Sequence, residues 1–350
     1  MTAVLRLDQK LQNIRAGRYS RSDFIIADAK DSDMGSGVGG TGFLRNPDGT
    51  QGRRRTRQEF LDAIEAIIRQ DVVDIMLVSV SNLDELHERG AFDGSAVKPA
   101  IRANETTDCW GGMRHQRYTR APSLPFRTAE LSRVRYGSTF PQPGAPVKGT
   151  DLGLYSVTFN NDLAADIESL EAFAEFRREA AANEFKYFYE VFNPNVPLDL
   201  DRDALGEYMN DCILRSLAGV SKADRPEFLK IVYNGPKALE ELASFDSTLV
   251  VGVLGGGAGT ARDTFELVAQ AEKYGARVAL FGRKINLAED PLAMVSMMRQ
   301  VADGALTPDE AVRAYHGELQ KGGLQAARSL EDDRTVTEAN LQPAATLRAA

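Results

Sequence analysis

Eight short apolar runs punctuate the chain, each parted from the next by a polar segment of helical spacing or by a loop. They lie at 24–28, 72–79, 97–103, 152–158, 186–192, 227–235, 248–254 and 276–281. Runs of this length, rich in Val, Ile, Phe and Tyr and ending on polar or glycine residues, read as strands. Residues 58–70, 166–183 and 204–220 carry helical spacing between them, the second as a long amphipathic stretch. Alternation of strand and helix predicts a parallel sheet. Eight such units predict an α/β fold of the (β/α)8 TIM-barrel type, whose functional groups gather at the C-terminal strand ends. A doubly wound open sheet is the alternative, but no early G-x-G-x-x-G follows the first run.

The rhythm breaks in three places. Residues 1–22 are polar with weak helical spacing, which predicts a helix across one end of the fold. Residues 111–150 hold Arg114, His115, Arg117, Arg120 and several prolines, and read as an insertion after the third strand that offers basic groups to substrate charge. A single domain then spans 1–323, and 324–350 reads as a polar tail that packs loosely or frays.

Charge and cysteine usage narrow the function classes. A net charge of −8 argues against nucleic acid or an anionic membrane as partner. Two cysteines, Cys109 and Cys212, make no disulfide framework, and three scattered histidines, His87, His115 and His316, show no metal-ligand spacing. No run approaches the ~18 apolar residues of a membrane helix. The N-terminus lacks the apolar core of a signal peptide, so a cytoplasmic protein is expected.

Several strand ends carry candidate chemistry. Lys230 stands amid apolar residues in FLKIVYNG. Burial favours the neutral amine, which attacks a carbonyl to form an iminium ion that draws electrons from the neighbouring carbon–carbon bond. A salt-bridged or snorkelling lysine is the plainer reading. Glu190, one strand earlier, and Tyr233, three residues on, are candidates for proton transfer. Asp28, ending the first run, faces the lysine from across such a barrel, or is a capping or ion-paired carboxylate. The run Gly255-Gly256-Gly257 and the pair Gly282-Arg283 end the last two strands, where barrels often bind phosphate. Arg102 and Asn104 end the third strand and are further candidates for substrate or phosphate binding. The Gly-rich stretch 29–42, with Asp31 and Asp33, suits a cover over the site, or a surface loop.

At these residues the chain resembles the class I, Schiff-base aldolase superfamily, in particular the archaeal-type fructose-bisphosphate and tagatose-bisphosphate aldolases. The resemblance rests on IIADAKDSD, FLKIVYNG, LGGGAGT and FGRKIN, and for the tagatose type on the glutamate of YFYEVFNPN. The Trp-x-Tyr of the archaeal fructose type is missing. Stretch 31–42 and insertion 111–150 match no member. The resemblance implies a lyase with Lys230 as imine former, acting on a phosphorylated sugar or keto acid. It implies no cofactor or metal, since the iminium serves as electron sink, and a homo-oligomer. Some relatives instead use the lysine for acyl transfer or retro-Claisen cleavage, and a barrel that binds phosphosugars without catalysis is a third possibility.

Overall fold

The computed structural model describes residues 5–46, 49–111, 120–257 and 259–342. Eight parallel strands close into a barrel: β1 (Ile25–Lys30), β2 (Ile75–Val78), β3 (Lys98–Arg102), β4 (Leu152–Thr158), β5 (Lys186–Phe192), β6 (Leu229–Ile231), β7 (Val251–Leu254) and β8 (Val278–Phe281). Spatial order follows chain order, and β1 closes the ring by pairing with both β2 and β8. This is the (β/α)8 barrel that the alternating pattern predicts.

The strands are apolar on both faces because each face serves a different core. On β1, Ile25, Ala27 and Ala29 fill the barrel interior, while Phe24 and Ile26 pack with the residues beneath the helices. The same alternation runs round the ring. Leu152 and Leu154 on β4, Phe188 before Glu190, and Phe228 before Lys230 all belong to the interior set. Side chains two apart share a face. Continued toward the C-terminal ends, the interior series therefore reaches Asp31, Ser79, Arg102, Ser156, Glu190, Lys230 and Gly282. The outer series reaches Asp28, Lys30 and Tyr233.

The N-terminal helix, Arg6–Arg15, is where the sequence places it. Leu7, Leu11 and Ile14 join the barrel's interior core, and Arg6 and Lys10 clamp Asp74 at 2.8 and 2.9 Å. Of stretch 29–42, Ala29 and Lys30 complete β1, and most of the rest folds as two short helical turns, Ser32–Ser36 and Gly37–Thr41. In the insertion, Pro125–Phe126 pairs antiparallel with Glu105–Thr106 just beyond β3. Arg114, His115 and Arg117 lie outside the described residues, and Arg120 is exposed.

The expectation of a loose tail over 324–350 needs correction where the segment is described; residues 343–350 lie outside the described residues. Residues 329–342 pack along the helix Ala261–Lys273 that follows β7. Leu341 is buried in the outer core, and Gln270 Nε2 donates to its carbonyl at 2.9 Å. Thr337 and Glu338 donate backbone N–H groups to Asp263 at 2.7 and 3.1 Å. Polarity misleads here because the segment is held by hydrogen bonds more than by apolar contact. Among the described residues no helix is long and apolar enough to cross a membrane.

Candidate active site

Parallel pairing of β5 with β6 sets Glu190 directly beside Lys230. Both point into the barrel mouth, and their side chains meet at 2.5 Å, Nζ to Oε1. Lys230 is 6% exposed and Glu190 1%, so the contact is almost dry. The other carboxylate oxygen, Oε2, accepts from Ser156 Oγ at 2.5 Å and lies 3.4 Å from the Arg102 guanidinium.

Arg102 stands at the centre of this cluster. It pairs with Asp31, with Glu105 at 2.6 Å and with Glu190, and donates to Ser156 Oγ at 3.0 Å. Burial alone would lower its pKa, but Asp31, Glu105 and Glu190 together raise it, so the guanidinium is a fixed positive charge. Burial likewise pushes Asp31 up; Arg102 and then Lys230 more than reverse this and hold its carboxylate below the ordinary range. Glu105 differs. Burial, opposed by Arg102 and reinforced by Asp31, Glu190 and Asp108, pushes it up to about 7. Beside the Lys230–Glu190 pair, the mouth thus holds a fixed guanidinium, a firmly ionised carboxylate at Asp31 and a carboxyl at Glu105 that titrates near neutrality. Thr158, one interior layer above Ser156 on β4, is buried, and its Oγ1 has no hydrogen-bond partner among the described residues.

The remaining sequence candidates divide. Asp28 does not face Lys230. It lies on the outer face of β1 and pairs with Lys30 at 2.7 Å, both fully buried. Asp31, three residues later and on the interior face, takes the place expected of it. Tyr233 likewise points outward, donating to Gln270 Oε1 at 2.6 Å. Asn104 is engaged with the backbone of Ser156, accepting from its N–H at 2.6 Å and donating to its carbonyl at 2.7 Å. Arg102 is enclosed by carboxylates. Neither is free to hold a phosphate.

At the β7 and β8 ends the glycines have separate reasons. A Cβ on Gly255 would lie 2.5 Å from the Phe281 ring, and its N–H donates to Leu280 at 3.1 Å, so this residue serves barrel closure. A Cβ on Gly282 would lie 2.7 Å from the Ala29 carbonyl. Gly256, at φ +60°, and Gly257 stand clear of such crowding. Arg283 is exposed, makes no ion pair with a described residue, and lines a cleft of about 330 Å³ with Thr260, Lys284 and Arg328. Thr260 caps the helix after β7, exchanging hydrogen bonds with Asp263.

Asp31, Ser156 and Glu105 escape sequence reasoning as site residues. Asp31 lies past the apolar run, in the Gly-rich stretch read as a cover or surface loop, so Asp28 at the end of the run stands out in its place. Ser156 follows from the interior alternation once that is known. Glu105 carries no local signal, because only the ribbon beyond β3 turns it toward Arg102.

The barrel shares its fold with solved structures of aldolases. An archaeal fructose 1,6-bisphosphate aldolase superposes with a TM-score of 0.59 at 16% identity, over 85% of this chain and 99% of that one. A Schiff-base-forming fructose-1,6-bisphosphate aldolase, analysed through its reaction intermediates, gives the same figures. A structural-genomics target from Corynebacterium glutamicum gives 0.55 at 19%, over 87% of this chain and 99% of its own. At these identities the likeness is one of fold. No family model matches the chain, and no curated protein matches it in sequence.

Proposed function

We propose that this chain is a class I aldolase-like carbon–carbon lyase that acts through a Schiff base on Lys230, on a phosphorylated or acidic sugar-derived ketone. The observation that carries this reading is the dry 2.5 Å contact between Lys230 and Glu190 at the C-terminal mouth of the barrel. Glu190 takes the ammonium proton and frees the amine to attack the ketone carbon. The carbonyl oxygen leaves as water, and the iminium remains on Nζ. Glu190 gives its proton to that departing water, and as a carboxylate again it takes the proton of the substrate hydroxyl while electrons of the adjacent carbon–carbon bond flow into the iminium and the aldehyde departs. The resulting enamine is protonated at carbon, and water releases the second product from Lys230.

Glu190 is the proton carrier in this scheme because it touches the amine. Asp31 keeps a negative charge near the developing iminium and stabilises it electrostatically. Arg102 and Ser156 orient Glu190, and Thr158 Oγ1 is a ready partner for a substrate hydroxyl. Gly256, Gly257, Gly282 and Arg283 form the phosphate end.

The test is borohydride reduction in the presence of dihydroxyacetone phosphate, followed by intact mass and peptide mapping. A stable adduct on Lys230 is expected. No adduct on any lysine with a panel of ketones would overturn the mechanism. An aldehyde product separates aldol cleavage from retro-Claisen cleavage, which yields an acid or acyl adduct.

A further inference from the structure

Lys284, three residues beyond the end of β8, is a buried amine that the proposed chemistry does not use. Its side chain is 0% exposed, and its one ion-pair partner among the described residues is Glu338, at 2.8 Å through Oε1. The other oxygen, Oε2, reaches toward Gly256, 3.7 Å from where a Cβ there would stand. One carboxylate from the C-terminal segment thus pairs with the lysine after β8 and lies beside the glycine turn after β7. Those are the two elements assigned above to the substrate's phosphate.

The same segment supplies a second acid nearby. Asp333 accepts from the N–H of Ala261 at 2.8 Å, and Thr335 accepts from Thr260 Oγ1 at 2.8 Å. The chain therefore fills its own anion-attracting positions with residues some seventy places downstream. The fastening and the carboxylate are separable. Glu338 is anchored by its backbone N–H to Asp263, while its side chain is 30% exposed. Rotation about the side chain alone would release Lys284 without detaching the segment.

We propose that Lys284 is a phosphate-binding cation and that Glu338 is its internal competitor, displaced when a phosphorylated ligand enters. The inference rests on the assignment of the phosphate end above and deepens it. A phosphate brings up to two negative charges where Glu338 brings one, and it meets Arg283 as well as Lys284. Oxygen acceptors on phosphate satisfy Lys and backbone N–H groups at least as well as a carboxylate does. Ligands without such an anion leave Glu338 in place, so the pair selects for a phosphorylated substrate.

Calorimetric titration of the full chain with inorganic phosphate tests this. If Glu338 holds the site nine-tenths of the time, freeing it tightens phosphate binding about tenfold. Glu338→Gln is therefore expected to bind phosphate about tenfold more tightly than the unaltered chain, and Lys284→Met about tenfold more weakly or worse. In the double variant the gain from Glu338→Gln should vanish, since the two act through one site. A Glu338→Gln variant whose phosphate affinity is unchanged or lower overturns the proposal, as does a Lys284→Met variant that binds normally or an absence of phosphate binding in all forms. If Lys284→Met is unstable, the Glu338→Gln titration decides alone, because that isosteric change lies at a partly exposed side chain. Borohydride trapping of non-phosphorylated dihydroxyacetone on the unaltered chain reads Lys230 independently. Its failure alongside the expected phosphate results would remove the aldolase reading and leave the anion site standing.

Discussion

Replacing Asp28 by Asn separates a structural carboxylate from a catalytic one. Asp28 and Lys30 are fully buried on the outer face of β1, and each is the other's ion-pair partner. Burial lowers Lys30 and raises Asp28, each partly opposed by its partner. Without Asp28 the amine is left dry and unpaired, so it sheds its proton on folding. Neutralising an ordinary lysine at pH 7 costs about 4.6 kcal/mol, from a pKa near 10.4. Breaking buried pairs on one side generally costs about 3–5 kcal/mol. For a chain of 350 residues, a loss of about 4 kcal/mol lowers Tm by roughly 5–6 °C. The unfolded variant then binds one more proton than the folded one. Its stability therefore rises with pH, by up to about 1.4 kcal/mol per unit, until pH nears the ordinary lysine value. Thermal unfolding at pH 7 and pH 9 reads both effects, and imine trapping well below Tm reads the site. Trapping on Lys230 should be unimpaired. A variant of unchanged Tm that no longer forms the adduct would refute the reasoning and return Asp28 to the active site.

Three further variants separate residues of the cluster from one outside it. Glu190→Gln should slow turnover about 10²–10⁴-fold, the usual worth of a general acid–base, in a steady-state aldehyde-release assay. Tyr233→Phe should leave that rate within about twofold, because its hydroxyl is held by Gln270 outside the barrel and contributes only an ordinary hydrogen bond of about 1 kcal/mol. Glu105, raised to about 7 in the fold, favours the folded state below its ordinary value and loses that contribution as pH climbs through 7. The loss amounts to about 3 kcal/mol; urea unfolding should show Glu105→Gln abolishing this decline between pH 5 and pH 8.

The strands, their order and the barrel were legible in the sequence, because a buried strand needs a short apolar run and a parallel neighbour needs an intervening helix. Lys230 was legible for the same reason: a charge within an apolar run stands out. Its partner was legible only as a type and a place, Glu190 one strand earlier. That the two touch depends on the β5–β6 register, which hydrogen bonds between strands fix and no local pattern encodes. Asp28 stands out over Asp31 because it ends the apolar run, but β1 is apolar on both faces, so its alternation leaves no trace in residue type to say which carboxylate faces inward. Closure of the ring decided which face is inside, and with it sent Asp28 and Tyr233 to the helix layer and Asp31 to the mouth. Glu105 and the C-terminal segment were hidden by distance along the chain. Lys284 and Glu338 are 54 residues apart, and nothing near either one announces the other. Sequence by itself thus determined the elements and singled out the lysine within an apolar strand, through local burial and spacing. Tertiary structure alone decided which charges surround that amine, because their placement follows from strand parity, register and long-range packing.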